Sequence, residues 1–312
     1  MDYRNLEQIV SKASLSTMWA IGRFDAIAGF IGAAHDVGFD EIELNHQVTA
    51  EMLQDVLVLR LAGKVMVSSV HAPVPKWALS DVRPVPQLSA VDEDERRLAG
   101  SITRQSIAMA ARLRARAVVL HCGRVEIDLD LERRLRQLYG EGKVGTVEHD
   151  AAMARLTQAR EKNKQPHLDA ILASLKELAG YAAAMGLRLG LENRFHYYEI
   201  PLLDEMQVLL SQLDSATVFY WHDTGHAQNL QALGFLKHED WLRAFGDRML
   251  GIHLHDTVGI LDHRVAGSGE IDFRLVKKFV PKDALRVCEF DPVASADDVK
   301  SGYQHLKQLG FF

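Results

Sequence analysis

The stretch "LKELAGYAAAMGLRLGLEN", residues 175–193, decides the fold. Small and apolar residues at helical spacing run up to Gly186, where the helix stops. A short apolar strand follows and closes on two polar residues, Glu192 and Asn193. The same unit stands at "AIAGFIGAAHDVGFDEIELN" (26–45), with Gly38 as the stop, and at "SIAMAARLRARAVVLHCG" (106–123), whose strand closes at His121. Helix, turn, apolar strand and polar stop form a repeating unit, and continuous apolar strands alternating with helices mean a parallel sheet covered on both faces.

Strands on this pattern are expected near Leu15–Trp19, Glu41–Asn45, Val65–His71, Ala117–His121, Arg188–Glu192, Val218–Asp223, Met249–His255 and Leu285–Glu289. That number fits a closed (β/α)8 barrel, and the 312 residues fit one such domain over 1–312. No glycine-rich dinucleotide fingerprint follows the first strand, which disfavours the open, doubly wound alternative. The rhythm breaks between the fourth and fifth strands, where the connection is about twice as long as an ordinary βαβ unit. Residues 124–165 are heavily charged and hold two helical patterns separated by Gly140–Gly145. A helical insertion is expected there, either a solvated excursion or a lid or oligomer contact over the catalytic face.

Composition narrows the class. Apolar residues at 47% and charged residues at 25% allow a large core. A net charge of −6 argues against a nucleic-acid partner. Two cysteines, Cys122 and Cys288, cannot build a disulfide framework and are expected as buried thiols. No uncharged stretch approaches a membrane span, and MDYRNLEQIV lacks the apolar core of a secretory leader, so a cytoplasmic protein is expected.

The strand stops carry the chemistry. In "FYWHDTGHAQ" (219–228) an apolar strand ends in His222, Asp223 and, past Gly225, His226. His71, His121, Glu192, His253, His255 and Glu289 likewise end or follow strands. Any one of them has an ordinary structural explanation; Asp223, for example, could simply cap the next helix. Together, His222 apart, they form a ring of carboxylates and imidazoles at the mouth where barrels keep their active sites. Glu192, Asp223 and Glu289 would repel one another without a cation, so a divalent metal site is expected.

The motifs "HAP" (71–73), "LEN" (191–193), "DTGHA" (223–227), "HLHD" (253–256), "HRVAGSGEID" (263–272) and "CEF" (288–290) resemble, in order, those of the xylose isomerase-like TIM-barrel superfamily. That group contains sugar and sugar-phosphate isomerases and epimerases, dehydratases and endonuclease IV. The resemblance implies four metal ligands, Glu192, Asp223, His253 and Glu289, with His253 preferred to His255 because the family's ligand stands three residues before the aspartate, here Asp256. It implies second-metal or substrate roles for His71, His121, His226 and His263. Manganese, magnesium, cobalt and zinc all suit such donors. Relatives in the family are often dimers or tetramers, so a homo-oligomer is open.

A small-molecule substrate is expected. Glu43, Arg194, His196, His255 and Arg264 are its candidate contacts, with Asn45, His46, Lys76, Trp77, Tyr197 and Trp19 as further ones; Arg264 would suit an anionic group. The expected reaction is isomerisation or epimerisation of a sugar, sugar phosphate or related polyhydroxy carbonyl compound through an enediolate, with Glu192 and Glu289 as base and acid. The alternatives are a two- or three-zinc phosphoesterase on the endonuclease IV plan, a dehydratase, and a barrel that only binds. The zinc plan departs from its pattern at Leu261-Asp262-His263, where Asp-x-His is expected, so the Asp262 side chain should point elsewhere unless the loop rearranges.

Overall fold

The computed structural model describes residues 12–76 and 85–312. Trp77 and the MDYRNLEQIV segment lie outside the described residues. The first half of the chain runs β1 (Ala13–Ser16), α1 (Ile27–Val37), β2 (Glu41–Leu44), α2 (Ala50–Leu61), β3 (Met66–His71), α3 (Glu93–Leu113), β4 (Ala117–Leu120) and α4 (Asp130–Gly140). Next come α5 (Val147–Ala184), β5 (Arg188–Glu192), α6 (Leu203–Gln212), β6 (Val218–Asp223), α7 (Thr224–Ala232), α8 (His238–Phe245) and β7 (Met249–Leu254). A hairpin of β8 (Asp256–Val258) and β9 (Leu261–Arg264) precedes α9 (Phe273–Lys277), β10 (Leu285–Cys288) and α10 (Ala296–Gln308).

Eight parallel strands close into a barrel in the order β1-β10-β7-β6-β5-β4-β3-β2, while β8 and β9 pair antiparallel outside it. Closure comes from β1 on β10, with Leu15 opposite Cys288. The fifth and sixth strands stand where the sequence places them, residue for residue. The first is displaced, ending at Ser16 rather than Trp19. Its inward residues are hydroxylic, Ser14 bonding Ser68 at 2.7 Å, so the strand lacks the apolar signature that marks the others.

Side chains inside the barrel form layers, as period-2 alternation requires. Trp221 fills the lower layer with Ala117, Val119, Leu250, Leu285 and Val287. Two neighbours must be glycine to admit it: a Cβ at Gly251 would lie 2.3 Å from the indole, and one at Gly190 2.8 Å. Two residues further along the same strands come Glu192, Asp223 and His253. The indole is therefore a dry floor directly beneath the polar ring, 5.2 Å from the His253 imidazole. Both cysteines belong to the core outside the barrel, and burial pushes the Cys122 thiol up to about 12.

The insertion differs from its expected boundary at 165. Its second helix, α5, continues through Pro166 to Ala184 as one 38-residue element that also serves as the barrel helix before β5. A proline inside a helix removes a hydrogen bond. Contacts on either side hold this one: His167 reaches Ser89 O at 2.8 Å, and Arg160 forms a two-pronged pair with Glu205 at 2.5 and 2.8 Å. Nor is the insertion merely solvated, since Leu135, Leu138, Leu156 and Arg160 are fully buried. Glu205→Gln is expected to cost about 3–5 kcal/mol of stability by leaving the Arg160 charge buried without a counter-ion. Urea unfolding measures this, and a loss below about 1 kcal/mol would mean the pair is dispensable.

Candidate metal centre

Glu192 ends β5, Asp223 ends β6, His253 lies next to last in β7 and Glu289 follows β10. All four are buried. The His253 Nδ1 atom faces all three carboxylates: 2.6 Å to Glu192 Oε1, 3.2 Å to Glu289 Oε2 and 3.6 Å to Asp223 Oδ2. One donor atom from each residue fits within 4.8 Å of every other. Asp223 also caps α7, accepting His226 N–H at 2.7 Å, so the structural reading of this residue applies while its other oxygen still faces His253.

The other face of His253 is tied down. Its Nε2 lies 3.0 Å from Glu43 Oε1, and Glu43 Oε2 accepts the Ser69 hydroxyl at 2.6 Å. A carboxylate accepting the Nε2–H hydrogen bond leaves Nδ1 as the nitrogen available to a ligand. Burial alone would lower the His253 pKa, but Glu289 and Glu43 outweigh it and hold the imidazole well above its ordinary value. Burial would likewise raise Glu192 and Asp223; the histidines around them instead keep both well below the usual carboxylate range. A proton on His253 Nδ1 thus sits where three negative groups converge, and a divalent cation displacing it would satisfy the same donors with more charge. The donor set fits a metal. Glu43→Gln is expected to weaken metal affinity about 10- to 100-fold by losing the orienting charge. Competition with a chelator measures this, and unchanged affinity would remove Glu43 from that role.

Further donor groups overlap or flank the centre. His71 Nε2 and His121 Nε2 are 2.7 Å apart, and His121 Nε2 is 2.8 Å from Glu192 Oε2. Glu192 therefore presents Oε1 to His253 and Oε2 to His121, bridging two groups. On the other side His226, Asp262 and His263 converge, again within 4.8 Å. Asp262 was expected to point elsewhere unless the loop rearranged, and the loop takes that second course. His263 adopts a left-handed conformation (φ 56°), which turns the loop so that adjacent side chains meet, with Asp262 Oδ1 3.0 Å from His263 Nδ1.

The expected substrate contacts are mostly engaged by the protein itself. His255, fully buried, gives Nε2 to Asp223 at 2.9 Å, and its Nδ1 accepts the His263 N–H at 2.9 Å. Glu43, also fully buried, lies behind His253 rather than in front of it. Arg194 donates to Glu192 Oε2 at 2.6 Å and to Glu199 at 3.1 Å. His196 is held 2.8 Å from Glu132 of α4. Arg264 faces Asp291 at 3.6 Å on an outer groove instead of the mouth. Trp19 is buried, its Nε1 bonded to Ala294 O, and offers no open face.

His222 turns away from the ring altogether. It joins a buried chain in which Tyr220 Oη meets Asn193 Oδ1 at 2.9 Å and His222 Nδ1 at 2.6 Å, and His222 Nε2 meets His238 Nε2 at 2.9 Å. Asn193 uses the same amide to grip the Asp223 backbone, accepting its N–H at 2.8 Å and donating to its carbonyl at 3.0 Å. Sequence reading assigned no site role to Asn193, Ser69 or Tyr220. Only their placement one to three residues from ring members hints at it.

With this geometry in place, known proteins supply the family. The family model described as xylose isomerase-like TIM barrel matches residues 31–309. The chain belongs to that family. A search of curated proteins finds no sequence match. Among solved structures, this xylose isomerase-like barrel is similar to a D-tagatose 3-epimerase-like protein, with 18% identity, a TM-score of 0.67 and 96% of each chain covered. It is also similar to the 3-keto-D-glucoside 4-epimerase YcjR from E. coli, with 14% identity, a TM-score of 0.68, and 96% of this chain and 99% of that one covered. An L-ribulose 3-epimerase follows at 16% identity and a TM-score of 0.67, with 96% and 94% covered. At such identities the likeness establishes a shared fold.

Proposed function

We propose that Glu192, Asp223, His253 and Glu289 hold one divalent cation and that the protein is an isomerase or epimerase acting on a sugar or related polyhydroxy carbonyl compound. The observation that carries this reading is the convergence of three buried carboxylates on His253 Nδ1 at the open end of the barrel. A bound cation would polarise the substrate carbonyl and stabilise the negative charge that develops when the neighbouring C–H is deprotonated.

The chain supplies the proton transfers. Glu192 and Glu289 stand on strands separated by β6 and β7 and approach the centre from different sides. One takes the carbon-bound proton and the other returns a proton to the opposite face or to the adjacent carbon. Arg194 and His121 fix the Glu192 carboxylate in position, while the Trp221 floor keeps the centre dry from below. The similar folds named as 3- and 4-epimerases agree with this reaction class.

Incubation of metal-supplied protein in D2O with a panel of ketoses and aldoses, followed by NMR, tests the proposal. Deuterium on the carbon beside the carbonyl, together with a new epimer or isomer, is expected. Loss of a β-hydroxyl would instead indicate a dehydratase. A second reading rests on the flanking groups: a carboxylate bridging His253 and His121, with His226, Asp262 and His263 opposite, also suits a two- or three-zinc phosphoesterase. Phosphoester hydrolysis with no deuterium exchange would establish it over the first.

A further inference from the structure

Along β6, Tyr220 and His222 alternate with Trp221 and Asp223, so they face out of the barrel while the other two face in. Both are fully buried and pack against α8, beside Trp241 and His238, and the equally buried Asn193 reaches them from the end of β5. We propose that Asn193 and Tyr220 are positioning residues for the metal centre: through them a buried hydrogen-bond chain anchored on α8 holds the Asp223 backbone, and with it the carboxylate that faces His253. The inference rests on the metal centre of the proposed function and is indifferent to which reaction the metal serves.

Three observations carry it. Asn193 closes two hydrogen bonds on one residue, its Oδ1 accepting the Asp223 N–H at 2.8 Å and its Nδ2 donating to the Asp223 carbonyl at 3.0 Å. Its own carbonyl accepts His226 Nδ1–H at 2.9 Å, so a single residue grips both Asp223 and His226. Next, the order of donors along the chain is fixed. Asn193 Oδ1 can only accept, so the one Tyr220 hydroxyl proton goes to it at 2.9 Å. His222 must then carry a proton on Nδ1 to donate to Tyr220 Oη at 2.6 Å, and its Nε2 meets His238 Nε2 at 2.9 Å, which ties the chain to α8. With two donors aimed at Oδ1, the Asn193 amide has one orientation. Finally, the chain crosses an apolar layer, where Tyr220 lies against Trp241 and Phe245 at ring-centroid distances of 6.1 and 5.2 Å. Apolar side chains of the same shape would serve stability there about as well, because a buried hydrogen bond largely replaces one made to water. What the polar chain does, and apolar packing would not, is hold Asp223 and His226.

Cobalt(II) is the probe, since its visible absorption follows the geometry of its donors. Tyr220→Phe removes one oxygen from a packed ring. It is expected to bind cobalt about tenfold more weakly than the wild type, the lower end of what losing an orienting partner costs, and to shift the absorption bands. Asn193→Asp, which sets an oxygen against the Asp223 carbonyl, is expected to lose more. At the far end of the chain His238→Leu should weaken binding, whereas His238→Gln, which keeps an N–H for His222, should retain it. Chelator competition and the spectra read affinity and geometry, and thermal unfolding of the metal-free proteins reads the fold. Tyr220→Phe with wild-type affinity and spectrum overturns the proposal even if it melts lower, because the chain would then be structural only. So does His238→Gln impaired as much as His238→Leu, since the hydrogen bond would not be what acts. Failure of the centre itself reads differently: wild-type protein that takes up no cobalt refutes the centre and the positioning together, while a wild type and a Tyr220→Phe that bind equally refute the positioning alone.

Discussion

Glu289→Gln is expected to lower kcat by about 10²- to 10⁴-fold, the range associated with losing a positioned acid or base. The substitution is nearly isosteric at a site only 4% exposed, so packing is preserved. What changes is charge: Glu289 faces His253 at 3.2 Å and His71 at 3.7 Å, and an amide can neither ionise nor transfer the proton. Burial would raise this carboxyl, but His253 and His71 hold it well below its usual range, keeping it ionised and competent as an acceptor. Turnover of a substrate found in the deuterium screen, with circular dichroism as the fold control, measures the effect. Retention of more than about a tenth of wild-type kcat would rule out a proton-transfer role. Glu192→Gln should act in the same direction, with Arg194 keeping Glu199 as its remaining partner.

The second large effect is at Asp223, and two substitutions separate its two tasks. Asp223→Ala removes a donor from the centre together with the cap on α7, whose loss costs about 0.5–2 kcal/mol. Asp223→Asn keeps the cap, since asparagine is as good a capping residue, yet removes the charge. Both variants are expected to bind metal more weakly by over the roughly 10- to 100-fold that losing a merely orienting group costs. Only the alanine variant should also melt lower. Chelator competition and thermal unfolding measure the pair, and unchanged metal affinity in Asp223→Asn would exclude the carboxylate as a ligand.

The barrel was legible because each strand buried on both faces is a continuous apolar run that stops abruptly at a polar residue. Residues 188–192 and 218–223 show this without ambiguity. β1 was misplaced because Ser14 and Ser16 face inward, and hydroxyls inside a barrel look like a turn from sequence. The insertion was bounded at 165, where its charged composition ends, while α5 runs on through Pro166 to Ala184, carried by contacts from Ser89 and Glu205 that are distant in sequence.

The ring at the mouth was legible for a different reason: its members recur at the same point of successive units, and strand ends converge in any closed barrel. The long side chains around it were not. Whether Arg194 faces a substrate or Glu192 depends on a reach of several ångströms that spacing does not encode, and the outward turn of Arg264 depends on Asp291. Asp262 depends on a single left-handed residue, His263, a conformation uncommon outside glycine and unannounced by any glycine here.

Metal content tests the central claim most directly. Protein supplied in turn with manganese, magnesium, cobalt and zinc, then dialysed without chelator, is to be measured by elemental analysis beside Asp223→Asn. The account predicts about one divalent ion per chain, retained through dialysis and lost in the variant. Two or three zinc ions per chain would add His71, His121, His226 and His263 to the ligands and favour the phosphoesterase. Wild-type protein that retains no divalent metal from any of the four would contradict the metal centre and the function built on it.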